Sequence, residues 1–249
     1  MDAGEITPKD TPGYTMKKAA KEIIQSALDS GQKTLSEHES KQLLASYGIP
    51  VSTEILAPTA GKALEAAETI GFPLAMKVCS ARLLHKTESD AVALNIRSLS
   101  EVQDTFDKLV HSVPACDGIL VQAMAPGKRE LVVGLSRDPQ FGPCVMLGLG
   151  GIFTEVFADT AFRAVPFDRG EALDMAAELR GSKLLGAFRG EPPVDLERVA
   201  DILLAVGAIA LSHPEVAEID INPVIVNPDG QCVAVDALVV LSPGNQAED

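Results

Sequence analysis

Lys77 is the one charged residue in the apolar run Leu74-Ala75-Met76-Lys77-Val78. A strand is a rigid mount, and an ammonium fixed on one can meet a phosphate as a point charge. A strand lysine can equally do no more than face water. A second set of polar interruptions lies towards the C-terminus. Asp220 and Asn222 alternate with Ile219, Ile221 and Ile225, so both side chains leave one face of a strand. Asp236 stands alone in Val233-Ala234-Val235-Asp236-Ala237. With a hairpin turning at Asn227-Pro228-Asp229-Gly230, Asp236 falls opposite Asn222 or one residue away. Two or three oxygen donors on a rigid ribbon, completed by phosphate oxygens and water, are a common seat for Mg²⁺. The plainer alternative is the polar face of an edge hairpin.

Two further features could carry chemistry. Gly148-Leu149-Gly150-Gly151 ends an apolar strand. It is either an ordinary turn or a loop that offers backbone N–H groups to an anion. Its spacing fits neither the P-loop nor the dinucleotide fingerprint. His85 sits in Leu83-Leu84-His85-Lys86-Thr87, inside the polar stretch 80–90 between two strand-like runs. It is either a surface histidine or, with its neutral imidazole lone pair, a nucleophile towards phosphorus.

The elements that must position these residues mix helix and strand without strict alternation. Helical signals cover 17–28, 36–48, 63–70, 98–111, 171–179 and 194–211. Ser36-Glu37-His38-Glu39 and Ser98-Leu99-Ser100-Glu101 have capping-box spacing. Strand signals cover 74–78, 91–96, 118–124, 130–135, 144–149 and 162–167, and the chain closes with the hairpin 218–226 and 232–241. Recurrent hairpins beside helices predict an α+β fold of two lobes. The expected organisation is a tail at 1–14, a first lobe at 15–115, a second at 116–241 and a tail at 242–249. The boundary is placed in the segment 113–117.

Bulk properties narrow the partners. The 249 residues are 46% hydrophobic but only 4% aromatic, with no Trp, so the core is aliphatic. A net charge of -14 disfavours nucleic acid and anionic membrane surfaces, so any nucleotide is held by a few placed cations and a metal. Cys79, Cys116, Cys144 and Cys232 lack close zinc-type spacing and read as buried thiols of a reducing compartment. No signal peptide and no apolar run of about 20 residues is seen, so a cytoplasmic location is expected.

Several runs resemble one family, in its order. They are Leu35-Ser36-Glu37-His38-Glu39-Ser40-Lys41, Ile49-Pro50-Val51, Gly71-Phe72-Pro73-Leu74-Ala75-Met76-Lys77-Val78 and Leu84-His85-Lys86-Thr87. Further along are Arg129-Glu130-Leu131-Val132-Val133-Gly134, Arg137-Asp138-Pro139-Gln140-Phe141-Gly142-Pro143 and Gly148-Leu149-Gly150-Gly151-Ile152-Phe153-Thr154-Glu155-Val156. Arg189-Gly190-Glu191-Pro192-Pro193 and Asp220-Ile221-Asn222-Pro223 complete the set. Over residues 17–241 the chain resembles the β subunit of ADP-forming acetate–CoA ligases.

That resemblance implies an ATP-grasp fold, with ATP or ADP between two lobes. Lys77 then corresponds to the lysine that touches the nucleotide phosphates. Gln122, Ala123 and Met124 correspond to the hinge at the adenine, and Glu130 to the carboxylate on the next strand. Gly150 and Gly151 belong to the glycine-rich loop at the nucleotide. Asn222 and Asp236 correspond to the Mg²⁺ ligands, with Asp220 in the outer shell. His85 corresponds to the loop histidine that passes a phosphoryl group to ADP. A separate CoA-binding α subunit is the implied partner, in a hetero-oligomer.

The chain departs from the pattern in one place. Asp90 and Ala91 stand where the family has two glycines in the loop over the phosphates. A like charge at ~4 Å costs about 1 kcal/mol in water and several times that when partly buried. A non-catalytic nucleotide-sensing module is therefore the alternative to a phosphoryl-transfer subunit. A stand-alone carboxylate–amine ligase would need an acceptor-binding domain that the sequence lacks.

Overall fold

The computed structural model describes residues 12–81, 91–112, 116–151, 158–187 and 190–242, with side chains from residue 18. Helix α1 (Pro12–Asp29) and helix α2 (Glu37–Ser46) come first. The predicted capping box is formed in full. The Ser36 hydroxyl accepts from Glu39 N–H, and the Glu39 carboxylate accepts from Ser36 N–H.

A four-stranded antiparallel sheet follows, in the order β1-β4-β2-β3, built from β1 (Glu54–Ala57), β2 (Leu74–Cys79), β3 (Val92–Ile96) and β4 (Gly118–Ala123). Helices α3 (Ala60–Ile70) and α4 (Leu99–Ser112) cover one face. Their small and aliphatic residues, including Ala63, Ala67, Val102 and Leu109, close a compact core on Met76, Val78, Ile119 and Val121.

The larger sheet has the path β10-β8-β5-β6-β7, with β9 also paired to β8. Its strands are β5 (Arg129–Asp138), β6 (Gly142–Leu149), β7 (Thr160–Ala164), β8 (Val216–Val226), β9 (Cys232–Ala234) and β10 (Ala237–Leu241). Helices α5 (Arg169–Glu178) and α6 (Leu196–Ser212) pack on one face, and a 3₁₀ turn (Ser182–Leu185) lies between them. Asp168 caps α5 with a second complete capping box. At the far end of α6, the Arg137 guanidinium donates to the Ala210 and His213 carbonyls, closing orphan acceptors of the last turn.

Three expectations are corrected. The lobes do not part at 113–117, because β4 lies between β1 and β2 in the smaller sheet and the chain crosses only after Ala123. The composition change there falls between the end of helix α4 and the start of β4, whereas the apolar run of β4 is that of a central strand buried on both faces. Residues 17–51 do not belong with the smaller sheet either. Ala20, Ile24, Ala27, Leu35, Leu43, Leu44 and Ile49 pack in the larger core. Their connector pairs with the final strand, through Leu35 N–H to Val239 O and Leu241 N–H to Lys33 O, both short backbone bonds.

Finally, the return strand of the hairpin is interrupted at Val235 and Asp236. The Asp236 Oδ1 accepts from Ala237 N–H at 2.8 Å, an aspartate competing with the ladder for a backbone donor. The Val235 carbonyl accepts from side chains on the smaller sheet, described below. Strand β1, absent from the expected set, completes the outer edge beside β4.

Candidate functional site

The interruption in the return strand is where the two sheets meet. Lys77, in the fully buried strand β2, sends its ammonium to Glu37 Oε1 at 2.8 Å, to the Val235 carbonyl at 3.3 Å and to Asp236 Oδ2 at 3.4 Å. Asn222 N–H donates to the Asp236 carbonyl at 3.2 Å, so the two residues face each other across the ribbon. Asp220 and Asn222 are both exposed, while Ile219 and Ile221 between and beside them are buried. Of the expected group, Lys77 meets Asp236 through its side chain, Asn222 meets Asp236 through its backbone, and Asp220 is close enough to feel the Asp236 charge.

Charge at this spot is set by its neighbours. Burial alone would lower the Lys77 pKa, but the Glu37 and Asp236 carboxylates more than offset it and hold the ammonium above its ordinary value. The Asp220 pKa is raised as well, which here disfavours the charged form. Partial desolvation first, and the Asp236 charge second, hold its carboxyl above the usual range. Water reaches Asp220, yet enough protein surrounds it for desolvation to dominate. Asp220, whose carboxyl pKa is raised in part by the Asp236 charge, and Asp236 itself are hard oxygen donors suited to a divalent cation. Among the described residues no group of three or more His, Cys, Asp or Glu converges, so a bound ion would draw further ligands from phosphate and water.

Behind the ammonium lies a buried ionic joint that sequence reading did not reveal. Lys41 of α2 is 2% exposed and donates to Glu54 Oε2 at 2.6 Å, Gln122 Oε1 at 3.0 Å and Ser52 Oγ at 3.2 Å. It also lies 2.9 Å from Glu37 Oε1, the same oxygen that meets Lys77. His38 Nδ1 pairs with the other Glu54 oxygen at 2.9 Å. Glu37 and Lys41 are spaced i, i+4 on a capped helix, a pattern that ordinarily marks a solvated pair. Here the helix face is turned inwards between the sheets.

The remaining expected residues fall into two places. Gln122 is buried at the end of β4, its side chain committed to Lys41 and, through Nε2, to the Val235 carbonyl at 3.2 Å. Ala123 N–H donates to Thr53 O at 2.9 Å and Met124 N–H to Pro73 O at 3.3 Å. Residues 122–124 therefore form the crossing between sheets, with both of these backbone donors in use. Glu130 lies on β5 under the glycine loop. Gly150 N–H donates to Glu130 O at 2.6 Å, and a Cβ at Gly150 would come within 2.5 Å of Glu130 Cβ. Gly151 has φ +64°, and a Cβ there would meet Glu130 Oε2 at 3.4 Å. His85 and Asp90 lie outside the described residues. Ala91 is buried and its carbonyl accepts from Val78 N–H at 2.9 Å, so it serves the sheet.

Comparison with known proteins fits this geometry. The family model described as "ATP-grasp domain" matches residues 26–241. The chain is 40% identical to the "Acetate--CoA ligase [ADP-forming] I subunit beta" of Pyrococcus furiosus, over 89% of this chain and 97% of that protein. It is 38% identical to "Acetate--CoA ligase [ADP-forming] I" of Archaeoglobus fulgidus, over 97% of this chain but 36% of that longer protein. Among solved structures it is similar to the acetyl-coenzyme A synthetase 1 of Ca. Korarchaeum cryptofilum in complex with coenzyme A and Mg-AMPPCP, phosphohistidine segment pointing towards the nucleotide binding site. That match has a TM-score of 0.80 and 40% identity, and it covers 90% of this chain and 100% of the other. A protein with two small sheets meeting at a lysine and an Asn/Asp ribbon, and with these relatives along nearly its whole length, belongs to the ATP-grasp family, among the β subunits of ADP-forming acyl-CoA synthetases.

Proposed function

We propose that the chain is the nucleotide-binding β subunit of an ADP-forming acyl-CoA synthetase and moves a phosphoryl group between His85 and ADP. The full reaction is acyl-CoA + ADP + phosphate ⇌ acid + ATP + CoA, run with a CoA-binding α subunit. The observation that carries this reading is the 3.4 Å approach of the Lys77 ammonium to Asp236, which joins the cation of one sheet to the oxygen donors of the other. The Korarchaeum relative, which holds Mg-AMPPCP and carries a phosphohistidine segment, supports the same arrangement.

In the forward transfer a terminal oxygen of ADP attacks the phosphorus carried on His85. The new P–O bond forms as the P–N bond breaks, and its electron pair returns to the imidazole nitrogen. Lys77 meets the charge that spreads over the phosphoryl oxygens. Gln122, Ala123 and Met124 orient the base, and Glu130 with Gly150 and Gly151 holds the opposite side of the nucleotide. Asn222 and Asp236, with Asp220 beside them, would hold Mg²⁺, which when bound neutralises phosphate charge. The decisive experiment is His85→Ala with an α subunit supplied. ATP formation should be lost while MgADP binding persists; unimpaired ATP formation removes His85 from the mechanism.

A further inference from the structure

We propose that Glu37 is a positioning residue for phosphate binding, holding the Lys77 ammonium in place while its contact with Asp236 is exchanged for a nucleotide phosphate. This rests on the phosphate-binding role of Lys77 proposed above. Lys77 has two carboxylate partners of different character. Its contact with Glu37 is short, 2.8 Å, to a carboxylate that is 1% exposed; its contact with Asp236 is 3.4 Å, to one that is 34% exposed. The looser, wetter partner is the one a phosphate can displace.

Glu37 is itself held by its helix and by a second lysine. It occupies the first turn of α2, where the unsatisfied N–H groups favour a negative charge. Its Oε1 is shared with Lys41 at 2.9 Å, and Lys41 is anchored in turn by Glu54 on β1 and Gln122 on β4. A lysine carries about 2 kcal/mol of rotamer entropy, so an ammonium left with only a mobile partner would have to be ordered at the moment of binding. Glu37 makes that ordering part of the folded state. The sequence around Ser36 shows only a capping box, because the same turn does both jobs.

The test is a double-mutant cycle on MgADP affinity, read by calorimetry on the full chain at neutral pH. Removing a charged hydrogen bond to Lys77 should weaken MgADP binding about tenfold in Glu37→Gln, while adenosine binding changes little. In a Lys77→Met background the same Glu37→Gln change should cost nothing further, because the residue acts through the lysine. Glu37→Asp, which keeps the charge and retracts it by one methylene, should lose less than Glu37→Gln and be equally silent with Lys77→Met. It carries the test if Glu37→Gln fails to fold. Equal losses with and without Lys77, or equal losses of ADP and adenosine affinity, would overturn the positioning role and make Glu37 merely structural. If instead Lys77→Met alone binds MgADP like the parent, the phosphate-binding role of Lys77 is refuted, and the positioning role of Glu37 falls with it.

Discussion

Replacing Lys41 by Met keeps the side chain's length and bulk but removes the charge at the centre of the joint between the sheets. Four acceptors meet that ammonium, two of them carboxylates that are 1% and 6% exposed. After substitution Glu37 retains Lys77 and Glu54 retains His38, but neither regains the lost cation, and Gln122 Oε1 and Ser52 Oγ lose a donor each. Breaking a buried pair by removing one partner costs about 3–5 kcal/mol, because the desolvated charge is left behind. For a chain of this size each kcal/mol moves Tm by about 2–4 °C, so thermal unfolding followed by circular dichroism should show a fall of roughly 6–20 °C. Glu54→Gln added to Lys41→Met should cost less than the two changes separately, by about 1–3 kcal/mol, since the second removes a charge that the first deprived of its lysine. A Tm within about 2 °C of the parent for Lys41→Met would show that the network is worth no more than a solvated surface pair.

Two further outcomes follow from the site. Gly150→Ala places a methyl group against Glu130 Cβ and its carbonyl carbon at 2.5 and 2.8 Å, so the end of β6 must separate from β5. A loss of about 1–3 kcal/mol in urea titration is expected, together with weaker MgADP binding, and an unchanged midpoint would refute the close approach. Asp220→Asn concerns pH. A carboxyl whose folded pKa is raised destabilises the fold while ionised and is relieved as pH falls through that raised value. The metal-free variant should therefore melt higher than the parent at neutral pH, with the gain disappearing by about pH 4. A gain that persists in acid would refute the assignment.

Much of this was legible in the residue pattern, for reasons that can be named. The alternation of Asp220 and Asn222 with buried isoleucines fixes a face, and the Asn-Pro-Asp-Gly turn fixes the register that sets Asn222 against Asp236. A solitary lysine in a run of six buried residues had to meet carboxylates somewhere, and it does. What could not be read were the partners. Glu37, Lys41 and Glu54 lie in segments whose local signals are a helix cap and a short strand, and only packing between the sheets turns them inwards. The position of β4 was hidden similarly, because local composition records a loop but not which sheet the next strand joins. Nor does the pattern of 232–241 betray its break at Asp236, which depends on side-chain donors from the other sheet.

The pairing of the 33–35 connector with the final strand also bears on how the chain is made. The smaller sheet and its two helices are contiguous in sequence and can close as soon as β4 emerges. Helices α1 and α2 cannot, since α1 packs on α2 and α2 on β10, within the core that holds Ile24, Leu43 and Leu44. At ribosomal rates of about 5–20 residues per second, roughly 200 residues separate these helices from their last partner, an interval of roughly 10–40 s. During that time an apolar face waits for its cover, and it is the first place where a chaperone should be found on the nascent chain.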